Sequence, residues 1–240
     1  MRRTSLALSF VITAAVAGTA FAAETLKTPW DGFGEGSFVL TKTTSKTVMA
    51  GGPAEMPAMP EQVTEYRQTL VKITDKAYTI KNEMKIGDAW TPSEFEMPRV
   101  AGEVTKSDVK PEELGNEKLT VDGTEIDCKK QKVVVMGSTT ISWTSEKYGL
   151  VRSETTGAGT EMKVNLTKLK STIKVKGKDV ECREMTTTTK SDQMDSTSTT
   201  WMSDAIPGGT AKVETTSKMK MGEMTSTTTS TQEVAEFEKK

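Results

Sequence analysis

Val121-Asp-Gly-Thr-Glu-Ile-Asp-Cys-Lys129 recurs downstream, without a gap, as Val175-Lys-Gly-Lys-Asp-Val-Glu-Cys-Arg183, and the fold follows from that pair. In each copy the cysteine shares one strand face with a β-branched neighbour, Ile126 in the first and Val180 in the second. The first copy continues to Trp143, Ser145, Gly149, Val151 and Glu154. The second continues to Trp201, Ser203, Pro207-Gly208-Gly209 and Val213-Glu214. Such self-similarity marks an internal duplication, with repeats over about 119–170 and 173–237. Cys182 to Trp201 is four residues longer than Cys128 to Trp143, which predicts an inter-strand turn of different length.

Working outward, alternation dominates from Leu119 on. Ile141 with Trp143, Met162 with Val164 and Leu166, and Ile173 with Val175 each fall on one strand face, opposite Lys, Glu, Thr and Ser. One dry and one wet face is the habit of antiparallel sheets. The threonine runs 186–189 and 227–229 suit strands, because β-branched side chains are stiff and pack on a pleated surface. No segment after residue 22 keeps a helical period over three turns. The expectation is an all-β fold, a large curved antiparallel sheet or half-barrel with few or no helices.

Upstream, Ser37–Thr44 reads as a first strand, and Glu65–Ile73 with Lys76–Met84 as a hairpin about Thr74-Asp75. Residues 50–61, rich in Pro, Gly and Met, read as an extended loop. Thr91–Glu113, broken by Pro92, Pro98 and Pro111, reads as a connection. The N-terminal block 23–114 and the duplicated region 115–240 are expected to form one continuous domain.

Residues 1–22 have the layout of an export signal: Arg2-Arg3, the apolar Leu6–Val16 and the small-x-small Ala20-Phe21-Ala22. The expectation is a periplasmic or secreted protein cleaved near Ala22, with no transmembrane segment in the mature chain. The 32 basic and 33 acidic residues, net charge −1, form no long single-sign blocks, which argues against nucleic acid as a partner.

The chain has no histidine, which removes Ser-His-Asp and Cys-His nucleophiles along with the commonest transition-metal ligand. Adjacent acids such as Glu94 with Glu96 and Glu112 with Glu113 sit in polar stretches, where carboxylates are solvated. No phosphate-cradling glycine loop is present. The expectation is therefore no catalytic residue, cofactor or metal. Methionine clusters near 49–59 and 219–224 can in principle hold Cu(I), but packing is the stronger reading. Cys128 and Cys182 have two readings, a disulfide in an oxidising compartment or two small buried hydrophobes. In an open meander, strands four apart stand about 19 Å from each other, against the ~5.5 Å between bridged Cα atoms, so a bridge requires the sheet to curl.

The segment Trp201, Ser203, Asp204, Pro207-Gly208-Gly209 and Val213-Glu214, within the strand pattern of about 115–238, resembles bacterial envelope proteins with a large curved sheet, broadly the lipoprotein carriers of the LolA/LolB type. That resemblance implies an acyl chain or other apolar ligand held against the concave face of an unclosed barrel. The chain departs from those carriers in lacking the helices that plug the concavity. The candidate ligand-lining residues are Ile126, Ile141, Trp143, Val180, Trp201 and Val213. The alternative is a structural or adhesive cell-envelope component that contacts envelope protein or glycan through Thr/Ser-rich faces. An open, lined cavity favours the first; a filled core favours the second.

Overall fold

The computed structural model describes residues 28–51, 59–99 and 110–240. The export signal and positions 52–58 of the Pro/Gly/Met-rich loop lie outside the described residues. The described residues form strands and turns without helix. The strands are β1 (Phe38–Ala50), β2 (Gln62–Ile73), β3 (Ala77–Ile86), β4 (Ala89–Pro98), β5 (Glu112–Val121), β6 (Thr124–Val135), β7 (Ser138–Ser145), β8 (Gly149–Gly157), β9 (Thr160–Val175), β10 (Lys178–Ser191), β11 (Met194–Met202), β12 (Thr210–Met221) and β13 (Met224–Glu238). The predicted 65–84 hairpin is β2–β3, and both threonine runs lie inside strands.

All thirteen strands belong to one antiparallel sheet in the order β4-β3-β2-β1-β13-β12-β11-β10-β9-β8-β7-β6-β5. Every neighbour is a hairpin partner except one: β1 pairs with β13 from Phe38 opposite Glu238 to Ala50 opposite Thr225. That pairing joins the N-terminal block to the rest. The sheet is not closed into a barrel, and β4 and β5 are its edges.

Thr91–Glu113 therefore needs correction. Its first part is β4, and β5 begins at Glu112. Pro92 and Pro98 are tolerated because an edge strand has a partner on one side only, so a missing N–H costs no ladder bond. With Glu94 and Glu96 beside them, they also make β4 a poor template for another strand.

The predicted difference in turn length is also corrected. Met136-Gly137 and Asp192-Gln193 are both two-residue turns, and the four additional residues lengthen β10 and β11 by two each before Trp201. Trp143 stands opposite Lys130, and Trp201 opposite Glu184. Each tryptophan is thus level with the residue two beyond its cysteine.

The sheet coils. β5 and β9, four places apart, come within 8 Å of each other, as do β9 and β13, where flat strands would be about 19 Å apart. Register shifts beside Trp143, beside Trp201 and over Cys182–Met185 supply the bend, since a bulged strand twists more strongly than its partner. Both approaches use the long strand β9. Each curl encloses its own apolar cluster. Val121, Ile126, Cys128, Trp143, Val151 and Leu166 fill the first. Val175, Val180, Cys182, Ala211 and Val234 belong to the second, which extends to Val39, Leu70, Tyr78 and Ile80.

The Thr28–Ser37 segment and the 203–209 turn cover the second cluster. Trp30, Phe33 and Ile206 are buried in it. Gly208 donates its N–H to the Pro29 carbonyl at 3.1 Å, and its φ of 80° is one that L side chains rarely adopt. Tyr78 donates its hydroxyl to Asp31, whose other oxygen accepts the Thr28 N–H at 2.7 Å. The Pro-Gly-Gly turn is structural.

Apolar packing is thus concentrated at the end of the sheet that holds the 203–209 turn, called the base below. Ile80→Ala, at a fully buried position, is expected to cost about 2–5 kcal/mol in urea unfolding. Glu223→Ala, in a turn at the opposite end, is expected to stay within about 0.5 kcal/mol of wild type.

Candidate functional site

Three features stand out: the two tryptophan sites, an uncharged sheet face and a cleft. Trp143 is buried, and its Nε1 donates to Glu117 Oε2 at 3.0 Å. Its cross-strand neighbours, Lys130 on β6 and Arg152 on β8, lie 4.8 and 4.9 Å from the ring centroid. Lys130 also donates to Glu117 at 2.9 Å, and Arg152 pairs with Glu154. Trp201 has a simpler version. Lys212 lies 5.2 Å from the ring centroid and pairs with Glu214 at 2.6 Å. Both rings are occupied by cations of the protein itself, a packing arrangement in place of a ligand platform.

Trp201 belongs to a row that crosses nine strands. In order it reads Lys168, Glu184, Trp201, Lys212, Glu233, Lys42, Glu65, Lys85 and Trp90. Apart from the two tryptophans, charges alternate in sign. Lys168–Glu184 closes at 3.1 Å and Lys85–Glu65 at 2.9 Å. Exposed cross-strand pairs contribute about 0.2–1 kcal/mol each. Their main effect is on register, because a one-residue slip would carry the whole row to the other face.

The opposite face of β10–β13 and β1 carries no charge over four successive rows. Nearest the rim opposite the base, Met194 stands opposite Met219, then Ser226 and Met49. The next row is Thr189, Ser196, Ser217, Thr228 and Thr47, followed by Thr187, Ser198, Thr215, Ser230 and Ser45. Met185, Thr200, Val213, Gln232 and Thr43 complete the field. Its two middle rows are hydroxyls throughout. The Thr47 and Thr228 hydroxyls are 2.9 Å apart, and Thr215 donates to Ser198 at 3.1 Å. Apart from the exposed Met219 at the rim, the field is half-buried, whereas Lys46, Asp195, Thr197, Glu214, Thr216 and Lys218 on the reverse face are exposed.

A half-open cleft of about 270 Å³ lies where β9 meets β12 and β13. Ile173, Val175, Ala211 and Val234 line it together with Lys174, Lys212 and Glu233, and most of its accessible surface is polar. Lys176 and Glu236 pair beside it at 2.9 Å.

The six candidate lining residues do not converge on this cleft. Ile126 and Trp143 are core of the first cluster, and Ile141 packs against it. Val180 is core of the second, and Trp201 packs against it. Val213 lies in the uncharged face. Alternation places Ile173 and Val175 on one strand face, but their meeting with Val234 depends on the coil. Among the described residues no group of three or more Cys, Asp or Glu is placed to hold a metal, and no helix is long and apolar enough to cross a membrane.

Cys128 and Cys182 are free and buried, one in each cluster. A bridge between them is not formed, because the coil brings β9 to β5 and to β13 but leaves β6 and β10 in separate curls. Burial pushes both thiols above the ordinary cysteine range, with nearby carboxylates adding to the effect.

No family model and no curated protein matches the chain. Among solved structures it is similar to Ail, the attachment invasion locus protein of Yersinia pestis, at 7% identity and a TM-score of 0.21 over 84% of this chain and 99% of that one. It is also similar to MucB, solved in complex with MucA(peri), at 10% identity and a TM-score of 0.19 over 83% of this chain and 88% of that one. Likenesses this slight carry no argument about activity.

Both cysteines are expected to resist a thiol reagent at neutral pH in the native protein and to react together once it is denatured, as read by mass spectrometry. Glu117 gives a pH prediction. The hydrogen bond from Trp143, and then that from Lys130, hold its carboxyl below the ordinary glutamate range. A depressed carboxylate stabilises the fold above its unfolded pKa, about 4.3, and loses that contribution as pH falls through the native value. Wild type is therefore expected to exceed Glu117→Gln in stability at neutral pH. Urea titrations at falling pH should show the difference closing below about pH 4.3.

Proposed function

We propose that the protein is an exported, non-enzymatic component of the cell envelope that acts through its sheet surface, binding neutral polysaccharide on the uncharged face of β10–β13 and β1. The carrying observation is that face: two complete rows of hydroxyls over five strands, with no charge in the rows on either side. Serine and threonine hydroxyls both donate and accept, as sugar hydroxyls do. Without charge, the face offers no attraction to ions. It repeats at about 4.8 Å between strands and about 6.8 Å along them, so an extended chain can be held by many weak contacts.

The filled clusters weigh against ligand carriage on Ile126, Ile141, Trp143, Val180 and Trp201. What favours a second, carrier reading is the cleft between β9 and β13, with Ile173, Val175, Ala211 and Val234. At about 270 Å³ it falls just below the roughly 300–1,000 Å³ of small-molecule sites. The resemblance to lipoprotein carriers belongs with that reading. An origin of the two curls by duplication accounts for the like settings of Trp143 and Trp201 and suits either function.

The test is retention of the protein on insoluble neutral glucan and on cell-wall sacculi. Wild type is expected to be retained, and Ser198→Lys/Thr215→Lys to lose at least tenfold in affinity with an unchanged far-ultraviolet spectrum. Equal retention of the two proteins, or none of wild type, contradicts the proposal. Native mass spectrometry of protein from its own host that showed a bound lipid would favour the cleft.

A further inference from the structure

The apolar residues left outside the core are not scattered. Among the described residues, ten of the thirteen exposed large hydrophobic side chains, Val48, Val63, Ile86, Trp90, Met136 and Met221 among them, lie at the rim opposite the base, in hairpin turns or the segments that flank them; Val71, Phe95 and Leu114 lie elsewhere. Met136 is 101% exposed, at a turn position with φ 49°. In a two-residue turn with both residues at positive φ, Asn, Asp or Gly is the usual occupant of that place. A β-strand does not require Val133-Val134-Val135-Met136 to end in solvent, and no core contact explains Met136.

We infer that this rim seats on a lipid surface, with the turns at Ile86–Trp90, Val134–Met136 and Met219–Met221 inserted among the headgroups. The placement and extent of these residues choose lipid over a protein partner or a second copy. The exposed apolar residues follow the rim along neighbouring strands, from Ile86 and Trp90 through Val63 and Val48 to Met219 and Met221, with Val134–Met136 apart on β6–β7. They form a thin line of turns and strand ends along one rim, whereas a stable protein interface needs about 800 Å² of continuous surface per partner. A bilayer, being fluid, accepts separate insertions without shape complementarity.

Trp90 is 39% exposed beside Lys85, 5.9 Å from its ring. An aromatic with a cation next to it suits the headgroup level of a membrane. Lysines stand just behind the apolar turns, Lys85 before Ile86, Lys132 before Val134, and Lys218 and Lys220 about Met219. Asp88 and Glu223 in the turns themselves offset part of that charge. Insertion, rather than attraction to anionic lipid, is then the main source of binding.

The test uses the full chain with phosphatidylcholine vesicles, with and without anionic phosphatidylglycerol. Wild type is expected to sediment with both kinds of vesicle. Its Trp90 emission, identified as the component absent from Trp90→Phe, should be quenched by lipids brominated on the acyl chain. Ile86→Ser/Met136→Ser/Met221→Ser, which leaves both apolar clusters untouched, should lose at least about tenfold in partitioning at an unchanged thermal midpoint. No quenching of Trp90 in wild type overturns the inference. So does partitioning confined to anionic vesicles and abolished by salt, or partitioning that the triple variant retains. Glucan binding by the same triple variant should be unaffected, so failure here and failure of the polysaccharide reading remain distinguishable.

Discussion

The pairing of β1 with β13 is the constraint on which the architecture depends. Without it, β1–β4 and β5–β13 would be two separate sheets with four edges between them. With it, there is one sheet with two. Exposed edges are templates for other strands, and the two that remain are poor ones. β4 carries Pro92, Pro98, Glu94 and Glu96, and β5 carries Glu112, Glu113 and a register shift at Gly115. The pairing also brings the Thr28–Ser37 segment beside the 203–209 turn, so the cover of the second cluster follows from it.

A second consequence is an uneven distribution of apolar packing. The core lies where the sheet coils, around the ends of β5–β6, β9–β10, β11–β12 and β2–β3 that hold the base turns. Away from it, the sheet of β10–β13 and β1 is held by ladder hydrogen bonds and by cross-strand Thr, Ser and charge contacts. Stiff β-branched side chains suit such a layer because they lose little freedom on ordering. This explains how a chain with 5% aromatic residues and 27% charged residues forms a long sheet: little of that sheet needs an interior. The two faces of the layer are then free to differ, one crossed by alternating charge and the other uncharged.

Much of the fold was legible in the sequence because period-two alternation is local. Ile126 with Cys128 and Ile173 with Val175 identify strands without any partner, and the 65–84 hairpin needs only its own turn. What could not be read was register. Lys42, Glu65, Lys212 and Glu233 lie far apart in sequence and form one row only when β1 meets β13. The cleft was hidden for the same reason, since Val175 and Val234 meet through a coil produced by register shifts. Pro92 and Pro98 misled because a proline in a strand is read as a break unless the strand is known to be an edge. Of the six proposed ligand contacts, Ile126, Ile141, Trp143, Val180 and Trp201 lie in or against the two filled clusters and Val213 lies outside them, because a sequence does not say whether an apolar strand face is filled.

The most direct measurement of the account joins Thr47 and Thr228, which face each other across β1 and β13 with hydroxyls 2.9 Å apart. In Thr47→Cys/Thr228→Cys, mild oxidation followed by peptide mapping should yield an intramolecular 47–228 disulfide in most molecules, with Cys128 and Cys182 left reduced. An oxidised protein without that bridge, or linked only between molecules, would mean that β1 and β13 are not neighbours and would contradict the single sheet.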